Sequence, residues 1–339
     1  MKKQLTVILS IIAILGIIAT GTANAATSLT YSIFFPPSHG QAKVGEAWAK
    51  EIEKRTKGQV KITILAGGSL TPADQVYDGV LKGISDLGMS CFAYTRGRFP
   101  VMEVLDLPIG YPNGRTATAT ANAFYQQFRP RELDGVKVLY LHAHGPGLLH
   151  TTRPVATLEQ LKGMKIRSTG LSAKVVSSLG AVPVAMPQGA TYEALQKGVV
   201  EGTFGPIEVL KGWKQAEVIK STTDCPEIGY TTAMFVVMNL KKWNALPKDV
   251  QKVFEEVSKQ WIDVHGKAWD DLDMEGRKYT LSLGNKIIPL TKAESARWKK
   301  AVRPMLIEYS QTTTAKGLPG QKAVVETEKL IKKYGKVYK

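Results

Sequence analysis

Three features of the sequence predict an α/β fold in two lobes. Apolar alternation with a strand's period of two repeatedly switches to helical i, i+3, i+4 spacing, and this pattern runs twice along the chain. One helical stretch, Pro247 to about Tyr279, is too long for either half alone. The 339 residues suit two domains rather than one. A composition of 44% hydrophobic and 22% charged residues supports a sizeable core and excludes a disordered or collagen-like chain. Two cysteines, Cys91 and Cys225, exclude a disulfide scaffold; they are either one bridge or two buried thiols.

In order along the chain, Leu29, Tyr31, Ile33 and Phe35 alternate as a half-buried strand that Pro36-Pro37 ends. Ser38 is the expected N-cap of a helix with Val44, Ala47, Trp48 and Ile52 on one face, closed by Thr56-Lys57-Gly58. Val60, Ile62 and Ile64 form a second strand, Thr71-Pro72 opens a helix through Val76 and Val80, and Leu87, Met89 and Cys91 form a third strand. This alternation implies a parallel sheet. Irregular chain follows from Phe99 to Asn113, then a helix over Ala117–Phe128, a strand over Val136–Leu141 and a turn at His144-Gly145-Pro146-Gly147.

A second series starts near Thr151: helix Leu158–Lys162, strand Met164–Arg167, helix Ser172–Leu179, strand Val182–Ala185 and helix Tyr192–Lys197 capped by Thr191. A strand around Val200–Phe204 and a β-prone run at Thr231–Met238 come next. The long helix carries Val250, Val253, Phe254, Val257, Trp261, Val264, Ala268 and Leu272 at helical spacing; at 1.5 Å per residue it extends roughly 45 Å and is expected to touch both lobes. Lys286–Leu290 reads as a strand, Thr291-Lys292-Ala293-Glu294 as a capping box for a helix to about Tyr309, and Gln321–Lys333 as the last helix.

Lys2 and Lys3, the apolar stretch Leu5–Ala19 and the small-x-small site Ala23-Asn24-Ala25 read as a removable secretory signal cleaved before Ala26; the alternative is an uncleaved anchor. The net charge of +16 would suit a nucleic-acid binder. The basic residues, however, interleave with Asp and Glu along solvent faces except in the Lys332, Lys333, Lys336, Lys339 tail, which argues against nucleic acid.

Clusters that carry chemistry are few. His142, His144 and His150 could hold a metal for a hydrolase, or serve as strand-end hydrogen-bonding groups. Gly67-Gly68-Ser69 lacks the pattern of a nucleophile elbow, and Gly145-Pro146-Gly147 is too little for a dinucleotide site. In Lys162–Gly170 a short strand delivers Arg167 to its carboxyl end just before a helix, the crevice position where open α/β sheets bind ligands. There a guanidinium offers a planar fork to a carboxylate; spacing alone also allows a surface arginine.

Three ordered blocks carry a resemblance: Gly163-Met164-Lys165-Ile166-Arg167, Leu179 through Pro187, and Tyr192 through Gly202. Supporting stretches are Ala49–Gly58, Leu105-Asp106-Leu107-Pro108, and Val237-Met238-Asn239 before Trp243 and Leu246-Pro247. With these the chain resembles, over almost its whole mature length, the DctP-type solute-binding proteins of TRAP transporters. The resemblance implies a class II-like periplasmic-binding-protein fold whose lobes are joined by crossing β-strands and the long helix. The expected division is 26–149 plus about 238–265 for lobe I, 150–237 plus about 266–310 for lobe II, and 311–339 for a C-terminal helix and basic tail.

It further implies a periplasmic monomer without cofactor or catalysis, which holds a small organic acid on Arg167, closes, and meets membrane permease subunits. A chemoreceptor partner is the alternative. Sialic-acid binders of the family carry Asn, Glu, Arg and Asn where this sequence has Phe34, Cys91, Gly147 and Gly205, so a monocarboxylate with an apolar or 2-oxo/2-hydroxy body is expected rather than a sugar acid. Position adds His39, Phe92, Tyr94, Gln188, Phe204 and Trp213 as wall candidates, and family pattern adds Thr231 and Thr232 on a crossing strand.

Overall fold

Residues 26–339 are described by a computed structural model; the expected signal peptide at 1–25 lies outside the described residues. The first sheet starts from the alternation read above. Leu29, Tyr31 and Ile33 of β1 (Thr27–Ile33) turn into the core. β1 pairs in parallel with β2 (Val60–Ala66) and β3 (Leu87–Cys91). β4 (Val136–Ala143) and β10 (Ala233–Asn239) complete the order β2-β1-β3-β10-β4, with β10 antiparallel to both neighbours.

The second sheet has the order β11-β9-β5-β8-β6-β7, from β5 (Leu148–Thr151), β6 (Lys165–Ser168), β7 (Val182–Ala185), β8 (Gly202–Gly205), β9 (Ser221–Asp224) and β11 (Lys286–Pro289). Both sheets are mixed rather than parallel, because β5 and β10 are where the chain crosses between lobes and must enter against their neighbours. β10 belongs wholly to the first sheet, so the expected lobe division at 237/238 would cut a paired strand. β5 and β9 escaped the sequence reading. They are four residues each, and the Ser221-Thr222-Thr223 run shows no apolar alternation.

The crossings 144–147 and 225–232 are tied to each other: the Gly147 amide donates to the Tyr230 carbonyl at 2.9 Å, and the Thr231 hydroxyl donates to the His144 carbonyl. A Cβ on Gly147 would sit 1.9 Å from the Tyr230 ring, so only glycine lets the two strands pass this closely.

Helices cover both faces of the first sheet. α1 (Gly40–Arg55) places Trp48 against Tyr31, Tyr140 and Phe254, while α2 (Val76–Lys82) and α3 (Gly114–Phe128) cover the opposite face. Several caps differ from expectation. α1 is capped by His39, not Ser38, its ring Nδ1 accepting from the Gln41 amide. The Thr71 hydroxyl is engaged with Ser32, and α2 begins at Val76. Short helices α4 (Leu158–Leu161), α5 (Ser172–Ser178), α6 (Thr191–Gln196) and α7 (Val209–Gly212) decorate the second sheet. Thr191 opens α6 as its first residue rather than capping it.

After α8 (Leu240–Ala245), α9 (Lys248–Ser282) runs 35 residues, roughly 50 Å, against α1 and α3 of one lobe and α7 of the other. A Cβ on its Gly276 would lie 2.3 Å from the Ile207 carbonyl, so the helix backbone rests directly on the second lobe. Thr291 caps its helix as expected, its hydroxyl accepting from the Glu294 amide, but the Glu294 carboxylate turns to Leu158, Arg297 and Trp298 instead of completing a capping box. Helix α10 (Lys292–Val302) stops where Pro304 opens α11 (Pro304–Ala315), since proline has no N–H to continue the ladder. α12 (Gly320–Val337) returns to pack on α3.

Cys91 and Cys225 are two buried free thiols. The histidines considered as a metal set do not share a site among the described residues. His142 accepts from Trp269 Nε1 at 3.1 Å and stacks on His265, His144 bonds the Gly145 carbonyl, and both ring nitrogens of His150 are engaged by Thr222 and the Gly205 carbonyl. Burial above all holds His142 down to about 3 and His144 and His150 down to about 4.

Two outcomes follow. Gly276→Ala should cost about 1 to 3 kcal/mol in urea unfolding by overpacking, whereas Gly335→Ala, whose Cβ meets nothing nearer than 3.6 Å, should add about 0.5 kcal/mol. With folded pKa values below the ordinary 6.5, His142, His144 and His150 stay neutral in the native state while the unfolded chain takes up their protons. Each therefore withdraws stability as pH falls from 6.5 towards 4, opposite in sign to the buried, upward-shifted Asp106 and Asp273 carboxyls. Imidazole NMR should show the three rings in neutral tautomers down to pH 5.

Candidate functional site

Arg167 lies on β6, paired with Val184 of β7 on one side and Thr203 of β8 on the other, and is only 3% exposed. Its Nε and Nη2 donate to the Met186 carbonyl at 3.0 and 2.9 Å, which fixes the plane of the guanidinium. No carboxylate lies within ion-pair distance of it among the described residues. A guanidinium does not deprotonate in a protein, so a buried positive charge faces the space between the lobes without a counter-charge.

That space is a small cavity, offering about 40 Å³ to the centre of a water molecule. The first lobe contributes Phe34, Phe35, Cys91 and Tyr94; the second contributes Arg167, Thr169, Gln188, Gly205, Pro206, Glu208, Val209 and Trp213; the crossings and β10 contribute His144, Tyr230, Thr232 and Met234. The Phe34 ring stacks parallel to Trp213 across the lobes at 6.3 Å and meets Tyr94 edge-on at 5.5 Å. Burial pushes the Cys91, Tyr94 and Tyr230 groups up and His144 down, so all four remain neutral near pH 7.

Glu208 is the one carboxylate on the lining, and it is engaged elsewhere: its Oε2 pairs with His39 Nε2 at 2.9 Å. Since His39 Nδ1 accepts from the Gln41 amide, the proton of the neutral ring sits on Nε2 and points at Glu208. This buried contact joins the two lobes, and the Glu208 amide in turn donates to Asp273 on α9 at 3.1 Å. On the other flank the Gln188 amide donates to the Tyr94 hydroxyl at 3.2 Å and the Thr169 hydroxyl to the Ala93 carbonyl at 3.3 Å. Contacts across the cleft on both flanks describe a closed arrangement.

Of the expected residues, the structure brings Arg167, Phe34, Cys91, Tyr94, Gln188, Gly205, Trp213 and Thr232 to this cavity. Four lie off its lining. Phe92 packs on Phe99 and Phe235 inside the first lobe, and Phe204 packs on Tyr230. Thr231 spends its hydroxyl on the His144 carbonyl, and His39 sits behind the wall, bonded to Glu208. Strand parity accounts for Phe204, next to Gly205 on β8, because adjacent residues face opposite sides of a sheet, whereas Phe92 turns inward in the 3-10 turn that follows β3. Glu208 was missed although it follows the carboxyl end of β8, the position rule that found Arg167. Tyr230 gave no signal, as its role rests on contact with the distant Gly147.

A larger hollow of about 750 Å³ lies on the outside of the first lobe near Trp243, Lys259 and Tyr334. It gathers residues from one lobe only, and its Lys137 is already paired with Glu255. The interlobe cavity is where convergent polar groups and aromatic walls coincide.

Known proteins bear on this geometry. A curated relative from Nostoc sp., a monocarboxylate 2-oxoacid-binding periplasmic protein, is 28% identical over 292 residues, 81% of this chain and 76% of its own length. A TRAP solute-binding protein of Rhodoferax ferrireducens, solved with copurified benzoate, superposes with TM-score 0.88 at 27% identity, covering 93% of this chain and all of that one. A Bordetella bronchiseptica TRAP periplasmic solute-binding protein with bound (R)- and (S)-mandelate gives TM-score 0.85 at 28% identity, covering 91% and 99%. The family described as bacterial extracellular solute-binding protein, family 7, matches residues 31–312. The two-lobed architecture and the matched span together establish that the chain belongs to this DctP family of TRAP transporter solute-binding proteins.

Proposed function

We propose that the protein acts in the periplasm as the binding component of a TRAP transporter, without catalysis. It captures a small monocarboxylic acid with an apolar, aromatic or 2-oxo/2-hydroxy body by lobe closure and passes it to a membrane permease as a single chain. The observation that carries this reading is the buried guanidinium of Arg167, without an ion-pair partner among the described residues and facing an interlobe cavity walled by Phe34, Tyr94 and Trp213. A ligand carboxylate would supply the missing charge in a bidentate pair, and the stacked rings would take the body. The ligands of the benzoate-, mandelate- and 2-oxoacid-binding relatives share that chemistry. No helix among the described residues is long and apolar enough to cross a membrane.

Closure couples to binding because walls from both lobes meet only in the closed form, so ligand shifts the open–closed balance by its extra contacts there. The closed form is also held by the His39–Glu208 contact between the lobes.

A thermal-shift screen of organic acids should find ligands that raise the melting temperature, since a ligand at a hundred times its Kd adds about 2.7 kcal/mol to the folded state. For any such acid, Arg167→Ala should weaken binding more than a hundredfold by calorimetry, the loss of about 3 to 5 kcal/mol typical of breaking a buried ion pair. Binding within threefold of wild type would remove Arg167 from this role. Glu208→Gln should loosen closure without touching the anchor: small-angle scattering of the free protein should show a larger radius of gyration, and Kd should rise about tenfold, mostly through faster release.

A further inference from the structure

Gln188 stands two residues beyond Met186, whose carbonyl clamps the Arg167 guanidinium. Its side chain lines the same cavity and is 7% exposed, and its Nε2 has no hydrogen-bond partner among the described residues. Of the fully enclosed side-chain nitrogens and oxygens on the cavity lining, it is the one left unpaired. Its backbone amide is already held by the Tyr94 hydroxyl at 3.2 Å, so the segment is pinned from the first lobe while the carboxamide stays uncommitted. The other hydroxyl at this end, Thr169, donates to the Ala93 carbonyl. A buried amide without a partner is costly unless a ligand atom completes it.

Arg167 and Gln188 line the same small cavity, so the guanidinium fork and this amide meet parts of one small ligand. We propose that Gln188 reads a second oxygen, on the carbon next to the carboxylate, and thereby makes the site select 2-hydroxy and 2-oxo acids over their unsubstituted counterparts. This rests on the carboxylate reading of Arg167. The amide can donate to a keto or hydroxyl oxygen or, rotated, accept from a hydroxyl, so either oxidation state fits, whereas a methylene in that place leaves the amide unpaired. Trp213 and Phe34 take the rest of the body and supply no discrimination between members of such a pair.

The experiment is calorimetry on the mature chain with matched acids: mandelate against phenylacetate, and lactate against propionate, in wild type, Gln188→Met and Arg167→Ala. Wild type should bind the 2-hydroxy member of whichever skeleton fits at least tenfold tighter. Gln188→Met, similar in volume but without the amide, should narrow that ratio below threefold by weakening the hydroxy acid while leaving the unsubstituted acid within twofold. Equal affinities in wild type, or a ratio unchanged in Gln188→Met, would overturn the role of Gln188 while leaving Arg167 as the anchor. Failure of all four acids to bind wild type, or undiminished binding by Arg167→Ala, would instead bring down the carboxylate reading and this inference with it. Melting curves of the free variants guard against misfolding, and loss of affinity for both acids equally in a folded Gln188→Met would mark a structural role and reject the proposal.

Discussion

A positive charge buried without a counter-ion is the constraint around which the cleft is organised. Arg167 is held in plane by one carbonyl, Met186, and has no carboxylate within ion-pair distance among the described residues. The nearby ionisable groups Cys91, Tyr94, Tyr230 and His144 are all neutral through burial, so none dilutes the field. Glu208, close enough to line the same cavity, is diverted to His39. In a medium of low polarity such an arrangement is costly, and the carboxylate of the proposed ligand would complete it.

The surrounding fold delivers that charge to the boundary between the lobes. Two crossings, 144–147 and 225–232, bind each other through Gly147, Tyr230 and Thr231, and α9 rests on the second lobe at Gly276. The His39–Glu208 contact links the cap of the first helix to the carboxyl end of β8. One imidazole thus caps a helix with Nδ1 and fastens the lobes with Nε2.

Much of this was legible in the sequence because it was local. The β1 alternation, the helical stripe from Val250 to Leu272, the N-cap at Thr291 and the strand that carries Arg167 each depend on a few neighbouring residues. Illegible parts depend on distant ones. Ser221-Thr222-Thr223 is a buried strand because His150 meets Thr222 from another strand, and no pattern within the run announces it. Ser38 looked like the better cap, but only the pairing with Glu208, 169 positions away, shows why His39 has that place. Phe92 and Phe204 read as cavity wall by nearness in sequence to strand ends, but the alternation of faces turns Phe204 away and a 3-10 turn after β3 carries Phe92 into the lobe interior.

The return of α12 onto α3 has a practical side. β1 and α12 both belong to the first lobe, and Tyr338 accepts a hydrogen bond from Asn113 there. The second lobe is thus an excursion of the chain, out through 144–147 and back through 225–232, which α9 enters a second time to deliver β11 before α12 returns to the first lobe. Under the proposed closure, a fluorophore or surface tether attached at either terminus travels with the first lobe and is blind to the relative motion. An optical sensor built on this scaffold needs one of its two labels inside the excursion, on an exposed site such as Glu193 of α6.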